Sequence, residues 1–251
     1  KHLGVTSVAG RGRRTAVMRK RFAAQKGRNT RIRIAMVFDK RAKRLHTTGS
    51  MPAAQYGHQA QGLDPAFIAA HKAEAARTLS GPAAGKCPTC IVHIMIGEDM
   101  DPAIRIPTEH IFTWFQLMRD AQDDSKKQGP RYRTLFNRVR IDQAWQEQCN
   151  KFDTSKYPWK EVFGPMGATI AYLKQFQWAP NTPQEWISPG GDTYCIITDS
   201  GTGASLLESF KQDVANAVWK KAAQHWHGKG LENGADLAIV RYHLKKLLTM
   251  D

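Results

Sequence analysis

Fifteen of the first 46 residues are Lys or Arg, and the only acid among them is Asp39. The other 205 residues carry 22 basic and 21 acidic side chains, so nearly all of the net charge of +15 sits in this opening stretch. Its apolar residues recur at helical spacing and its bases fill the opposite faces, so the stretch reads as helices with one packed side. Self-repulsion of such a field opposes compaction, and a polyanionic partner is what usually compensates it. Nucleic acid is the first candidate, because phosphates give affinity through counterion release without sequence readout.

A chain of 251 residues holds one large domain or two or three small ones. The 41% hydrophobic content, with seven Trp and ten Phe, supports modest cores. No run of 18 apolar residues predicts a membrane span, so no membrane partner is expected. The opening residues lack an apolar signal region, and an intracellular location is expected, in the nucleus or a cytoplasmic ribonucleoprotein. The start at Lys1 reads like the middle of a domain and predicts a fragment of a longer protein. Cys87-Pro88-Thr89-Cys90 is a C-x-x-C pair. A zinc site of the usual kind needs a second pair, and Cys149, Cys195 and His93 stand alone. No βαβ pattern surrounds the pair, so reduced structural cysteines are the expectation.

The periodicity predicts a helix over Thr15–Lys26, with Ala16, Val17, Phe22, Ala23 and Ala24 inward and Gly27 ending it. A second follows over Thr30–Leu45, with Ile32, Ala35, Met36 and Leu45 inward. Ser50-Met51-Pro52 starts a third running to Gln61, and Asp64-Pro65 starts a fourth over Ala66–Leu79. Residues 80–107 hold four prolines and read as irregular, and the apolar run Cys90–Ile96 fits a strand or a buried helical turn. Helices are expected over Thr108–Ala121, Arg131–Lys151, Ala168–Gln177, Leu206–His225 and Asp236–Thr249, with a linker over Asp120–Pro130. Trp178–Gly191 reads as a packed loop and Thr193–Thr198 as a strand. The expected fold class is mainly α: a helical thumb-like bundle, then an irregular, mostly helical region with at most a few short strands. Its expected divisions are 1–82 (basic helical unit), 83–164 (connecting region) and 165–251 (C-terminal, mostly helical).

The phosphate-tracking surface expected on the basic helices comprises Arg11, Arg13, Arg14, Arg19, Lys20, Arg21, Arg28, Arg31 and Arg33. Surface helices ordinarily intersperse acids among their bases, and these do not. Gly10-Arg11-Gly12 permits close backbone approach to phosphate but lacks the Gly-Lys-Ser/Thr ending of a P-loop. Catalytic constellations are thin. Thr198-Asp199-Ser200 follows a strand, as a metal-binding Asp does in a ribonuclease H fold, but no partner strand with Asp and helical Glu precedes it. A turn or helix cap is the favoured reading of Asp199, and Glu185, Asp192 and Glu208 form no recognisable cluster. Asp99, Asp101, Asp123 and Asp124 read as loop and linker acids, and His225 and His227 suit a helix C-terminus. No catalytic residue and no metal ligand is assigned.

Lys1-His2-Leu3-Gly4-Val5 resembles the Lys-aromatic-Leu-Gly segment that follows the palm in reverse transcriptases of non-LTR retrotransposons. Ser50-Met51-Pro52-Ala53-Ala54-Gln55-Tyr56-Gly57 resembles the Leu-Pro…Leu-Tyr-Gly run of their thumb. Asp101-Pro102-Ala103-Ile104-Arg105-Ile106-Pro107 and Gly228–Leu237 resemble segments downstream of it. The aromatic-x-Asp-Asp polymerase motif is absent. The resemblance therefore implies a thumb and connection region gripping an RNA–DNA or RNA duplex, with upstream fingers and palm of the same polypeptide as its partner. It implies Mg²⁺ only in that palm and no cofactor here. The alternatives are a freestanding RNA- or DNA-binding module, or a ribonuclease H-like nuclease using Asp199.

Overall fold

A computed structural model describes residues 15–81, 85–127, 138–196, 202–225 and 228–247. The fold is mainly helical, with one small antiparallel sheet. The helices are α1 (Ala16–Phe38), α2 (Met51–Gln55), α3 (His58–Gln61), α4 (Pro65–Ser80), α5 (Pro88–Ile96), α6 (Pro102–Lys127) and α7 (Arg138–Thr154), followed by α8 (Gly164–Gln175), α9 (Thr202–Ala223) and α10 (Ala238–Leu247). The strands β1 (Ala179–Pro180), β2 (Glu185–Ile187) and β3 (Thr193–Cys195) lie between α8 and α9. Among the described residues no helix is long and apolar enough to cross a membrane.

The structure corrects several boundaries, each for a local reason. The two basic helices expected on either side of Gly27 are one helix, α1. Gly27 costs about 1 kcal/mol in a helix interior but needs no left-handed backbone there, and the Arg, Lys, Ala, Met and Gln around it favour helix. The break comes at Asp39, whose extended backbone and carboxylate, accepting from the Arg41 N–H at 2.8 Å, start a 3₁₀ turn over Lys40–Lys43. The inward face differs too: Met18, Gln25, Asn29 and Ile32 are buried, whereas Ala16, Ala23, Ala24 and Leu45 are exposed. The Ser50–Gln61 helix is split by Tyr56-Gly57, with Gly57 at φ 81°. The ambiguous run Cys90–Ile96 is helical, bracketed by Pro88 at the first helical position and Gly97 at φ 98°. Asp101 accepts from the Ala103 N–H at 2.8 Å, so α6 begins at Pro102 rather than Thr108 and passes through Pro107. It also continues to Lys127 through part of the expected linker.

The expected Trp178–Gly191 loop instead contributes two strands of the sheet, ordered β1-β2-β3. Pro180 lies opposite Trp186, and Trp186 opposite Tyr194. Prolines supply no N–H for a ladder, and their carbonyls find side-chain partners instead. The Trp145 indole donates to the Pro180 carbonyl at 2.9 Å and the Trp114 indole to the Pro183 carbonyl at 3.0 Å.

The chain forms two compact units, each discontinuous in sequence. One, the basic unit, contains Thr15–Tyr56, Asp64–Ile106 and the described residues from Val214 onward. Here α4 packs on α5 around Ala75, Ala76 and Val92. Asp101, fully buried, accepts from Lys72 Nζ at 2.7 Å and His93 Nε2 at 2.9 Å. Burial by itself would raise the Asp101 pKa, but the Lys72 ammonium and the His93 bond hold it below the usual carboxylate value. The other, the aromatic unit, contains Gly57–Leu63 and Pro107–Asp213. The Tyr172 hydroxyl accepts from the Leu63 N–H at 2.7 Å and donates to the Leu63 carbonyl at 3.0 Å, tying that short segment to α8.

Gly62 in that segment has φ +62°, and a Cβ there would lie 2.8 Å from the Ala168 Cβ. Gly62→Ala should therefore lower the unfolding free energy by about 3 kcal/mol, read as a lower urea midpoint. Burial also depresses two histidines, His46 to about 4 and His110 to about 3, the latter helped by neighbouring His58. The unfolded chain thus takes up protons below about pH 6.5 that the folded chain refuses, so this stability is present above that pH and is lost as pH falls toward 4. Urea unfolding at stepped pH should show a slope of about 1.4 kcal/mol per pH unit for each histidine. His46→Asn should remove one share.

Candidate nucleic-acid interface

Helix α1 carries seven bases and no acid. At 100° per residue, the buried residues Met18, Gln25, Asn29 and Ile32 form one narrow stripe. Arg19, Lys26 and Arg33, seven residues apart, run along one flank of that stripe, and Arg21 and Arg28 along the other. Lys20 and Arg31 lie on the far side. Arg19, Lys20, Lys26 and Arg31 are exposed, whereas Arg21, Arg28 and Arg33 are half-buried. A seven-residue repeat is about 10.5 Å along a helix axis, close to three nucleotide steps on one strand. None of Arg19, Lys20, Lys26, Arg28, Arg31 and Arg33 takes part in a salt bridge among the described residues.

Three of these side chains are partly committed locally, Lys26 with its ammonium 5.4 Å from the centre of the Phe22 ring. Arg21 donates to the Tyr56 carbonyl, and its guanidinium lies 5.0 Å from the centre of the Tyr56 ring. Arg33 donates to Thr30 Oγ1 at 3.1 Å. Arg11, Arg13 and Arg14 lie outside the described residues. Lys26 was missed because the sequence reading placed it at a helix end before Gly27. Its seven-residue spacing from Arg19 and Arg33 is the signal that finds it. Beyond α1, Arg41 pairs with Asp39 at 3.1 Å, a hydrogen bond that lowers the Asp39 pKa and raises that of Arg41.

The underside of α1 combines apolar Met18 and Ile32 with polar Gln25 and Asn29. Asn29 donates through Nδ2 to Glu74 Oε1 on α4 at 3.1 Å. Its Oδ1 accepts from Ser50 Oγ at 2.7 Å and lies 3.2 Å from His46 Nδ1. An amide oxygen only accepts, so His46 carries its proton on Nδ1. Its Nε2 is buried with no partner among the described residues, which fits a ring that resists a second proton. Glu74 Oε2 takes the Arg77 guanidinium at 2.9 Å. The C-terminal end of α1 presents apolar side chains to solvent: Ile34, Val37 (80% exposed) and Phe38 (86%).

Among the described residues, Glu185, Asp192 and Glu208 are not gathered into a metal site. Asp199 lies outside the described residues. Glu185 is half-buried on β2 opposite Cys195, Asp192 sits in a turn with its N–H on Ser188 Oγ, and Glu208 is exposed on α9. Asp101, expected in a loop, is the buried start of α6. Among the described residues no three His, Cys, Asp or Glu side chains are placed to share a metal ion. Comparison of the chain with protein-family models, curated proteins and solved structures finds no match.

Asn29→Ala would leave Glu74, Ser50 and His46 short of partners in a buried site. It should cost about 2–4 kcal/mol of stability, whereas Arg31→Gln should stay within about 0.5 kcal/mol. Urea unfolding of the two variants beside the parent chain checks the contrast.

Proposed function

We propose that this chain is a nucleic-acid-binding thumb and connection region of a reverse transcriptase, gripping the phosphates of a template–primer duplex through α1. The observation that carries this reading is the distribution of charge on α1, with bases on both flanks and the far side of a narrow buried stripe. A helix lying along a duplex offers its flanks to successive phosphates, and Arg and Lys at a seven-residue repeat meet a strand at regular intervals. The resemblance of residues 1–5 to the segment after the palm, and of 50–57 to the thumb, of non-LTR retrotransposon enzymes supports the assignment independently of charge. Exposed Val37 and Phe38 at the end of α1 add to it. Apolar side chains left in water beside a nucleic-acid surface suit a region that packs against further protein, here the fingers and palm of the same polypeptide.

Binding of the 251-residue chain to an RNA–DNA hybrid, measured against salt, tests the reading. With about six phosphates neutralised, log K against log salt should fall with a slope near −5. Replacing Arg19, Lys20, Lys26 and Arg31 by Gln should flatten that slope by about 3 to 4 while leaving the far-ultraviolet circular dichroism unchanged. A slope near zero in the parent, or an unaltered slope in the quadruple variant, would remove α1 from the interface.

A further inference from the structure

The aromatic unit carries an exposed ring that the grip of α1 does not use. Tyr157 is 55% exposed, although the segment around it is firmly held. Its backbone N–H donates to Ser155 Oγ at 3.1 Å, and Pro158–Lys160 form a 3₁₀ turn. Trp159 in that turn packs on the Tyr172 ring of α8, 5.1 Å between ring centres, and against Val162, Ala168 and Ala171. Gln148 Nε2 on α7 donates to the Glu161 carbonyl at 2.7 Å. The Lys160 N–H donates to the Tyr157 carbonyl at 2.8 Å, and residues so spaced in a 3₁₀ turn lie on one side. The Lys160 ammonium is accordingly 4.4 Å from the centre of the Tyr157 ring, and that of Lys156 is 5.7 Å from it. Both lysines are exposed. Residues 151–163 hold three lysines and two acids. One of these acids, Asp153, pairs with Lys174, which leaves Lys151, Lys156 and Lys160 against Glu161.

We propose that Tyr157, Lys156 and Lys160 form a stacking platform for unpaired nucleotides, a second nucleic-acid surface distinct from the duplex grip of α1. A tyrosine ring with ammonium groups beside it offers what a single strand needs: a π face for a base and positive charge for the neighbouring phosphates. Bases inside a duplex are stacked on one another and present no face to a side chain, so the platform selects unpaired strand. The anchored turn holds the ring in place before the strand arrives, so little order has to be imposed on binding. Lys160 leaves the ring for a phosphate oxygen as the base takes its place. Every base has such a face, so the platform is tolerant of sequence. An acidic peptide would meet the lysines but offers no flat partner for the ring. The proposal goes beyond the α1 grip and stands on residues of the other unit.

Binding of a fluorescent oligomer of about ten uridines, which has nothing to pair with, would be measured by anisotropy in the full chain and in the α1 quadruple variant. In the quadruple variant, Tyr157→Ala should weaken binding by about 5- to 150-fold, the range for loss of one stacked base. Tyr157→Phe keeps the ring and should change it by less than about twofold. Replacing both Lys156 and Lys160 by Gln should flatten the salt slope by about 1.4, the single-strand share of two phosphates. Tyr157→Ala should leave affinity for a blunt RNA–DNA hybrid and the urea midpoint unchanged. Ultraviolet irradiation of an iodouridine-substituted oligomer should attach it to Tyr157. Absence of oligomer binding in the quadruple variant, equal affinity with and without Tyr157, or an equal loss on oligomer and blunt hybrid would overturn the proposal. So would a glutamate oligomer of the same charge that binds as tightly and depends equally on Tyr157, which would assign the surface to an acidic peptide. Because the α1 bases are absent from this background, the platform and the α1 grip succeed or fail separately.

Discussion

Asn29 is the contact on which the basic unit turns. Helix α1, with seven bases and no acid, buries Met18 and Ile32 and stacks Phe22 on Phe67 and His71 of α4, while its self-repulsion opposes packing. Its underside is also held by an amide that meets Glu74 on α4 and Ser50 and His46 at the start of the following helices. Each of these groups is buried, and an unsatisfied partner there costs more than the bond returns. The network and the apolar residues beside it hold one face of α1 inward, and Arg19, Lys20, Lys26 and Arg31 point outward. The charged face lies away from a buried side on which Met18, Ile32 and the Asn29 network sit together.

The aromatic unit solves a related problem with different chemistry. A proline-rich segment cannot complete a ladder of backbone bonds, so its carbonyls need side-chain donors. The indoles of Trp145 and Trp114 serve Pro180 and Pro183, and the indole of Trp178 donates to Asp213 at 2.9 Å. Tryptophan suits this because one side chain brings apolar area to the core and a donor to a carbonyl. In the basic unit, Asp101 combines roles in the same way, capping α6 while balancing Lys72 and His93.

Much of the fold was legible in local signals. Asp64-Pro65 before α4 and the helical period from Leu206 through Val218 marked α4 and α9, because caps and periodicity act over one or two turns. The confinement of charge to the opening residues was visible by counting. Gly27, Pro107 and the Trp178–Gly191 segment misled, since each carries a breaker whose cost its neighbourhood outweighs. A glycine penalty of about 1 kcal/mol is small beside a run of strong helix formers. Pro107 lies inside a helix already started by the Asp101 cap, and the proline-rich loop finds its partners in distant tryptophans.

Within the basic surface, sequence alone identified Arg19, Lys20, Arg31 and Arg33 as helix side chains, and Arg28 as a base between two helices, with little to balance them, because net charge and residue spacing are properties of the chain itself. It also determined the mainly helical class, for which local propensity and periodicity suffice. Tertiary structure decided which bases face solvent, that Lys26 joins them, and that Arg21 is partly engaged by Tyr56. It decided, too, that Asp101 is a buried anchor rather than a loop acid. These outcomes depend on which polar groups meet across 35 to 45 residues of chain, as Arg21 with Tyr56 and Asn29 with Glu74 do. No local pattern specifies such pairings, because their energy appears only once both partners are buried together.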